Sequence, residues 1–181
     1  TWREIQDKLV VPKNQLIELT KGSLTLGNLI VEPFAVSHDA ADPIGINVFS
    51  GNDKATVVTD TGIISDDILH RLDDSTLLVL EANYDPHMLR FGPYQPFLKQ
   101  RVASDEGHLS NEMAAQALLM MKRPDFMQVI LAHRSENNNN AGLVTQSIGK
   151  MLVDSGVRIG PEMKLQHGQP NEIVSMQSVK R

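Results

Sequence analysis

Histidine and carboxylate residues stand where apolar stretches of this sequence end. "FAV" is followed by His38, "ATVV" by Asp60, "TLLVL" by Glu81 and "MQVILA" by His133. Imidazole and carboxylate are ligands of zinc, manganese and iron, and rigid strands can hold them at the roughly 2.0 to 2.2 Å that zinc needs. For each residue alone a solvated loop position is the better interpretation, but the repeated pattern predicts metal ligands at strand ends.

The stretch "DEGHLSNEMAAQA" adds a second kind of candidate. His108 precedes a predicted helix that begins at Ser110 or Asn111, so free amides, a hydroxyl and a side-chain amide would surround an anion there. This arrangement suits a phosphate. An ordinary helix cap beside a surface histidine fits the same residues.

A serine protease-like relay from Ser37, His38 and Asp39 is excluded, because neighbouring strand residues point to alternate faces. Three further histidines are interpreted as ordinary polar residues, and they are His70, His87 and His167.

The elements that position these residues are predicted to alternate between strands and helices. Strands are expected as two or three segments over 16–36, a hairpin over 46–60 turning at "SGND", Leu77–Leu80, Val129–Ala132 and the tail "EIVSMQSV". Helices are expected over 1–10, from Ser65 to Leu72, over Phe97–Val102, from Ser110 to before Pro124, and over 143–154. Buried strands alternating with helices predict an α/β layered fold, whose strand ends converge at one edge of the sheet.

Composition limits the functional classes. The 181 residues, 41% of them hydrophobic, predict one domain. The absence of cysteine excludes disulfides and thiolate zinc sites, and favours the cytoplasm. A formal net charge of −5 disfavours indiscriminate phosphate-backbone binding. Apolar runs are strand-sized and no leader pattern opens the chain, so a soluble protein without membrane contact is expected.

Five motifs, taken in order, closely resemble the later part of the YycJ (WalJ)-type proteins of the metallo-β-lactamase fold. They are "PFAVSHDAADP", "TDTG", "LEANYD", "GPYQPFLKQRVASDEGHLSNEMAAQA" and "LAHRSENNN". More distantly they resemble the tRNA-maturing ribonuclease Z enzymes. The resemblance covers about residues 1 to 160. It implies the carboxyl-terminal portion of an αββα sandwich, in the α/β (α+β) class, as a single domain over 1–181.

The resemblance also implies roles for individual residues. His38 is expected to bind one metal ion, Asp60 to bridge two ions, and His133 to bind the second. His108 is expected to contact the scissile phosphate and protonate the leaving oxygen, with Glu81 holding its imidazole. Further candidates for phosphate or substrate contact are Ser110, Asn111, Ser135 and Arg101.

One departure from the family pattern concerns the metal ligands. Members of this superfamily take most of them from an earlier His-x-His-x-Asp-His motif, and no two histidines here lie two residues apart. Three ligands cannot fill two tetrahedral zinc sites. Because the sequence begins at Thr1, either its start is processed or it is part of a longer hydrolase. We therefore expect this chain alone to bind one metal ion or none and to be inactive or impaired.

For the intact protein, the resemblance implies a DNA exonuclease that hydrolyses phosphodiesters with two divalent ions, zinc or manganese. Such ions lower the pKa of bound water towards about 7. DNA or another nucleic acid is the expected partner. Basic residues expected to flank the site are Lys99, Arg101, Lys122, Arg123 and Arg134, although scattered solubilising charges fit them equally.

Two alternatives remain open from the sequence. One is another hydrolase of the superfamily, acting on RNA, a small phosphodiester or a thioester without need of a basic groove. The other is a metal-free, non-catalytic fragment that exposes apolar surface and dimerises through its sheet.

Overall fold

The structure of the chain is a computed structural model, which describes residues 8–17, 22–169 and 172–175. Its centre is a mixed sheet of seven strands whose spatial order follows the chain. The strands are β1 (Leu24–Leu26), β2 (Leu29–Ala35), β3 (Ile44–Ser50), β4 (Asp53–Val58), β5 (Leu77–Glu81), β6 (Met127–Ala132) and β7 (Met163–His167). Neighbours from β1 to β4 pair antiparallel, and neighbours from β4 to β7 pair parallel.

Helices supply the crossovers that parallel strands require. They are α1 (Asp66–Leu72), α2 (Pro86–Phe91), α3 (Pro96–Val102), α4 (Asn111–Met120) and α5 (Ala141–Asp154), and a single 3-10 turn covers Lys13–Gln15. Side-chain oxygens of Ser65, Ser110 and Asn140 accept amide hydrogens in the first turns of α1, α4 and α5. These caps fix where the helices begin, because they satisfy donors that have no partner inside the helix.

The core lies on one face of the sheet. Alternate side chains of β4, β5 and β6 are buried there against residues of α1, α4 and α5. Leu78, Leu80 and Val129 are fully buried, as are Leu118 and Ile148 from the covering helices. Because side chains alternate along a strand, each residue that lies under the helices is followed by one on the opposite face of the sheet.

The opposite face is apolar as well but is left partly open by the described residues. Val57 pairs with Ile46 and with Val79, and Val79 pairs with Ile130. Val57 is 39% exposed and Ile44, at the start of β3, is 46% exposed. Both faces of the central strands therefore carry apolar side chains, which explains why β5 and β6 read as continuous apolar runs.

Most predicted elements are confirmed. The hairpin turns at Gly51 and Asn52 between β3 and β4, and the strands and helices at β5, β6, α1, α3, α4 and α5 lie where they were expected. The prediction of a last strand in "EIVSMQSV" is wrong over Glu172–Ser175, which have no regular structure. Residues 176–179 lie outside the described residues, as does most of the predicted helix over 1–10. The last described strand is β7, which the prediction missed. Within the described residues, no helix has the length and apolar character needed to cross a membrane.

Candidate active site

Four of the predicted site residues meet at one edge of the sheet. Strands β4, β5 and β6 are parallel, so Asp60, Glu81 and His133 all lie at their carboxyl ends. Strand β2 is antiparallel to β3, which is antiparallel to β4, so β2 also ends at this edge and delivers His38. The topology thus brings together residues that are far apart in the sequence.

Two of these residues have an unusual backbone conformation. Asp60 has φ of 57° and His133 has φ of 52°, both in the left-handed region. Such conformations are uncommon for residues other than glycine, and they cluster at functional sites. Both residues lie just after the end of a strand.

Glu81 is the buried centre of the site. Its Oε1 accepts hydrogen bonds from Nδ1 of His108 at 2.7 Å and from Nδ1 of His133 at 2.8 Å. Its Oε2 accepts from the backbone amide of Thr61 at 3.1 Å. Since an ionised carboxylate can only accept, both imidazoles must donate from Nδ1. Glu81 therefore fixes the orientation of two histidines at once.

The electrostatics of Glu81 and His133 follow from this arrangement. Burial alone would raise the pKa of Glu81, but the hydrogen bonds from His108, His133 and the Thr61 amide together lower it. The hydrogen bond that His133 donates to Glu81 raises the pKa of His133, against an opposing effect of burial. Glu81 is thus held as an anion despite having no exposed surface.

His38 is oriented in a similar way by a backbone carbonyl. Its Nδ1 lies 3.0 Å from the oxygen of Gly107, which can only accept, so Nδ1 donates. The Nε2 atoms of His38 and His133 lie 3.7 and 3.5 Å from Oδ1 of Asp60. Each imidazole keeps its Nε2 lone pair for another partner, with its other ring nitrogen bound behind it. This is the usual arrangement of metal-binding histidines.

These donors fit divalent cations. His38, Asp60 and His108 offer ligand atoms within 4.8 Å of one another, and so do Glu81, His108 and His133. The second group is better described as a hydrogen-bonded set, because Glu81 already accepts three hydrogen bonds. Asp60, from the first group, also approaches His133 of the second group. It therefore lies beside an imidazole of each group. Imidazole and carboxylate are common ligands of divalent cations, so these side chains could hold one.

A cavity of about 480 Å³ opens over these groups. Its lining residues are His38, Asp60, Asn83, Tyr94, Leu98, Arg101, Val102, His108, His133, Arg134, Ser135, Glu136 and Asn137. Arg101 donates to Asp39, with Nη2 2.9 Å from Oδ1, and this hydrogen bond lowers the pKa of Asp39. Ser135 accepts from the amide of Asn138 through Oγ.

Some predicted site residues do not reach this cavity. Ser110 is 4% exposed and caps α4, and Asn111 is fully buried and hydrogen-bonded to Asn139. Neither lines the cavity. The expectation that Lys122 and Arg123 flank the site is wrong. Lys122 pairs with Asp74, which lies just before β5 at the amino-terminal edge of the parallel strands. Helix α4 carries the chain from the site to this opposite edge.

Sequence reasoning missed four polar or aromatic residues of the cavity, Asn83, Tyr94, Glu136 and Asn137. Asn83 donates from Nδ2 to the carbonyl oxygen of His133 at 2.7 Å, which supports the left-handed turn there. Asn83 could have been recognised as a candidate from the sequence, because it follows Glu81 by two residues in "LEAN".

Comparison with known proteins agrees with the fold and the site. Residues 2–133 match the profile of the family described as "Beta-lactamase superfamily domain". The chain belongs to the beta-lactamase superfamily. Among curated members, it is 33% identical over 181 residues to "Exodeoxyribonuclease YycJ" of Bacillus anthracis, covering 99% of this chain and 69% of that protein. It is 30% identical over 176 residues to "Exodeoxyribonuclease WalJ" of Streptococcus pneumoniae, covering 94% of this chain and 65% of that protein.

Solved structures of the superfamily share the fold. The metallo-beta-lactamase fold protein YhfI from Bacillus subtilis superposes with a TM-score of 0.58 at 11% identity, over 82% of this chain and 49% of its own. Zn(2+)-bound PqqB from Methylobacterium extorquens gives 0.53 at 15% identity, over 81% and 48%. The predicted resemblance to YycJ/WalJ proteins and the metallo-β-lactamase fold are both confirmed.

Proposed function

We propose that this chain carries the carboxyl-terminal part of the active site of a metal-dependent phosphodiester hydrolase, a DNA exonuclease. The observation that carries the proposal is the convergence of His38, Asp60 and His133 beside a histidine, His108, that shares a buried carboxylate with His133. The names of the curated relatives support DNA as the substrate.

His38, Asp60 and His133 would hold the cations, which we expect to be zinc or manganese. When bound, divalent cations would activate water for attack and neutralise charge on the phosphoryl oxygens. The three donors fill fewer positions than two four-coordinate ions need. We therefore expect this chain by itself to hold one ion or none and to be inactive or impaired.

His108 would act as the general acid. Its Nδ1 is bound to Glu81, so Nε2 is the atom left to face the cavity and donate a proton to the departing oxygen. The hydrogen bond to the buried Glu81 prevents the His108 ring from turning. A general acid of this kind contributes about 10² to 10⁴ in rate.

Arg101, Arg134 and Ser135 would contact the substrate backbone from the sides of the cavity. Arg101 already pairs with Asp39, so its charge is partly neutralised and it acts best as a hydrogen-bond donor to a phosphate oxygen. Ser110 and Asn111 would support the site indirectly, by fixing the start of α4 behind His108. Under this proposal we expect the protein to act in the cytoplasm, an expectation that the lack of cysteine supports.

The test combines metal analysis with nuclease assays on single histidine and aspartate variants. Metal content per chain is measured by elemental analysis alongside intact mass, on the protein as its own cells make it. Release of nucleotides from end-labelled DNA is then followed with zinc and with manganese. H133A and D60N should lose metal and activity together, whereas H108A should keep its metal while turnover falls about 10² to 10⁴-fold.

The matched control is H70A, since His70 is an exposed histidine of α1 that does not line the cavity. It should match the unmodified protein in both assays.

Full turnover by H108A would overturn the role of His108 as general acid. Hydrolysis of a small diester without cleavage of DNA would assign the site to a different substrate, and absence of both metal and activity would identify a non-catalytic chain.

A further inference from the structure

Thr61 contacts both halves of the candidate site. It follows Asp60 just after strand β4 and is fully buried. Its backbone amide donates to Oε2 of Glu81 at 3.1 Å, and its Oγ1 lies 3.3 Å from the backbone amide of Ser37, which precedes His38. One threonine therefore contacts the carboxylate that orients two imidazoles and the segment that carries a proposed metal ligand.

The hydroxyl group of Thr61 makes two hydrogen bonds with the backbone. Oγ1 donates its single hydrogen to the carbonyl oxygen of Ile63 at 2.9 Å, so it accepts from the amide of Ser37. The hydroxyl is thus oriented between one backbone acceptor and one backbone donor. A valine at this position would have nearly the same shape and would make neither hydrogen bond.

The residue after Thr61 is held between the same neighbours. The amide of Gly62 donates to the carbonyl oxygen of Ser37 at 2.9 Å. On its other side Gly62 passes close to the segment between α3 and α4, since a Cβ atom there would collide with backbone atoms of Ser104 and Asp105. Thr61 and Gly62 therefore join the end of β4 to the end of β2.

This connection does what the sheet itself does not. In the order of the described strands, β3 lies between β2 and β4, so the ends of β2 and β4 are not paired with each other. These two ends carry His38 and Asp60, whose Nε2 and Oδ1 atoms lie 3.7 Å apart. The spacing of two proposed metal ligands thus depends on the contacts between Thr61, Gly62 and Ser37.

We infer that Thr61 is a positioning residue, whose hydroxyl sets the spacing of His38 and Asp60 and thereby the affinity of the site for a divalent cation. The inference rests on the proposed function, in which these two residues bind the cation. Loss of a hydrogen-bonding partner behind a metal ligand typically weakens metal binding by about 10- to 100-fold. Since Thr61 acts on His38 through the neighbouring Ser37 amide, we expect the lower end of this range.

The experiment compares T61V, which removes the hydroxyl, with T61S, which keeps it. Zinc affinity of the full chain is measured by competition with a zinc-chelating dye. T61V should bind zinc about tenfold more weakly than the unmodified chain, and T61S should restore most of the affinity. In the metal-free protein at one fixed pH, NMR spectra should show a shifted His38 imidazole signal in T61V and a restored signal in T61S. T61A is a second variant without the hydroxyl, for use if T61V does not fold.

Thr56 provides a matched control on the same strand. It is also fully buried, and its hydroxyl forms hydrogen bonds with Asn47 at 2.8 Å and with Ser75 at 2.7 Å. Thr56 does not line the cavity. T56V should lower the midpoint of urea denaturation, as T61V does, and should leave the zinc affinity and the His38 signal unchanged. The comparison separates positioning of the ligands from a general loss of stability.

Three results would overturn the inference. T61V could keep both the zinc affinity and the His38 signal of the unmodified chain, T61V and T56V could show equal losses, or T61S could behave like T61V. If the unmodified chain holds no zinc, the His38 signal alone decides, and an unchanged signal in T61V overturns the inference. Failure of the proposed function gives a different pattern, because D60N would then bind zinc as the unmodified chain does.

Discussion

At the residue scale, Glu81 determines the geometry of the site, because one buried carboxylate binds two imidazoles and a backbone amide. In E81Q the side-chain amide has one oxygen acceptor instead of two. Its NH₂ group would then face at least one of the three hydrogen-bond donors that Glu81 binds. We expect the free energy of unfolding to fall by roughly 1 to 3 kcal/mol, measured by urea denaturation. NMR titration of the metal-free protein should also show a lower pKa of His133, since Glu81 is what raises it.

E136Q is the matched control for E81Q. Glu136 is an exposed carboxylate beside the same cavity. Its replacement should change stability by less than about 0.5 kcal/mol. An E81Q protein as stable as the E136Q protein would contradict the role assigned to Glu81.

Asp60 shows a second property of residues at this site, a conflict between stability and function. Its φ of 57° disfavours any side chain, so D60G should raise the free energy of unfolding by about 0.5 to 1 kcal/mol while removing a proposed metal ligand. D74G is the control, because Asp74 has φ of 58° at the other edge of the sheet. Thermal denaturation should show stabilisation in both variants, and metal titration should show loss of affinity in D60G alone.

Which residues form the site could be predicted from the sequence, whereas their contacts could not. His38, Asp60, Glu81 and His133 were identifiable because each follows an apolar run that becomes a strand of one sheet. The hydrogen bond from His133 to Glu81 was not predicted, since nothing in the spacing of two strand ends indicates which side chains meet. Ser110 and Asn111 were recognisable as helix-start residues, but their burial depends on the packing of α4 against other elements.

At the scale of elements, Gly107 allows the segment between α3 and α4 to pack closely against the end of α3. A Cβ atom at Gly107 would collide with the carbonyl oxygens of Arg101 and Val102. Gly107 also accepts the hydrogen bond from His38 and precedes His108. G107A should therefore lower the free energy of unfolding by about 1 to 3 kcal/mol and shift both imidazoles. Urea denaturation and histidine NMR spectra measure the two effects.

The same substitution within α5 should have the opposite sign. A Cβ atom at Gly149 would lie 3.8 Å from Cδ1 of Ile159, an ordinary van der Waals contact. Since alanine favours a helix interior over glycine, G149A should raise the free energy of unfolding by about 0.5 to 1 kcal/mol. Equal effects of G107A and G149A in the same denaturation series would exclude a special role for the close approach at Gly107.

Element prediction failed where burial depends on distant parts of the chain. Strands β5 and β6 are continuous apolar runs, because both of their faces carry apolar side chains, and they were predicted correctly. Strand β7 reads "MKLQH" and was missed, because it is the last strand of the sheet and only Met163 is fully buried. The more apolar "EIVSMQSV" looked like a better strand, yet Glu172–Ser175 pair with no neighbouring strand.

At the scale of the whole molecule, the open face of the sheet determines behaviour in solution. Ile44 and Val57 are more than a third exposed, and they belong to a face that continues across Ile46, Val79 and Ile130. Exposed apolar side chains that are contiguous on one face can mark a surface of association. We therefore propose that the chain on its own forms a homodimer through this face. This arrangement would leave the imidazole cavity, at the edge of the sheet, uncovered.

Lysine substitutions on the open face test the homodimer. I44K and V57K place charges at exposed positions, so the fold is retained while burial of the face against a second copy becomes unfavourable. Sedimentation velocity over a range of concentrations should show a dimer for the unmodified chain and a monomer for I44K/V57K. V153K adds the same charge on α5 and should leave the dimer intact. A monomeric unmodified chain, or dissociation by V153K as well, would show that this face does not join two copies.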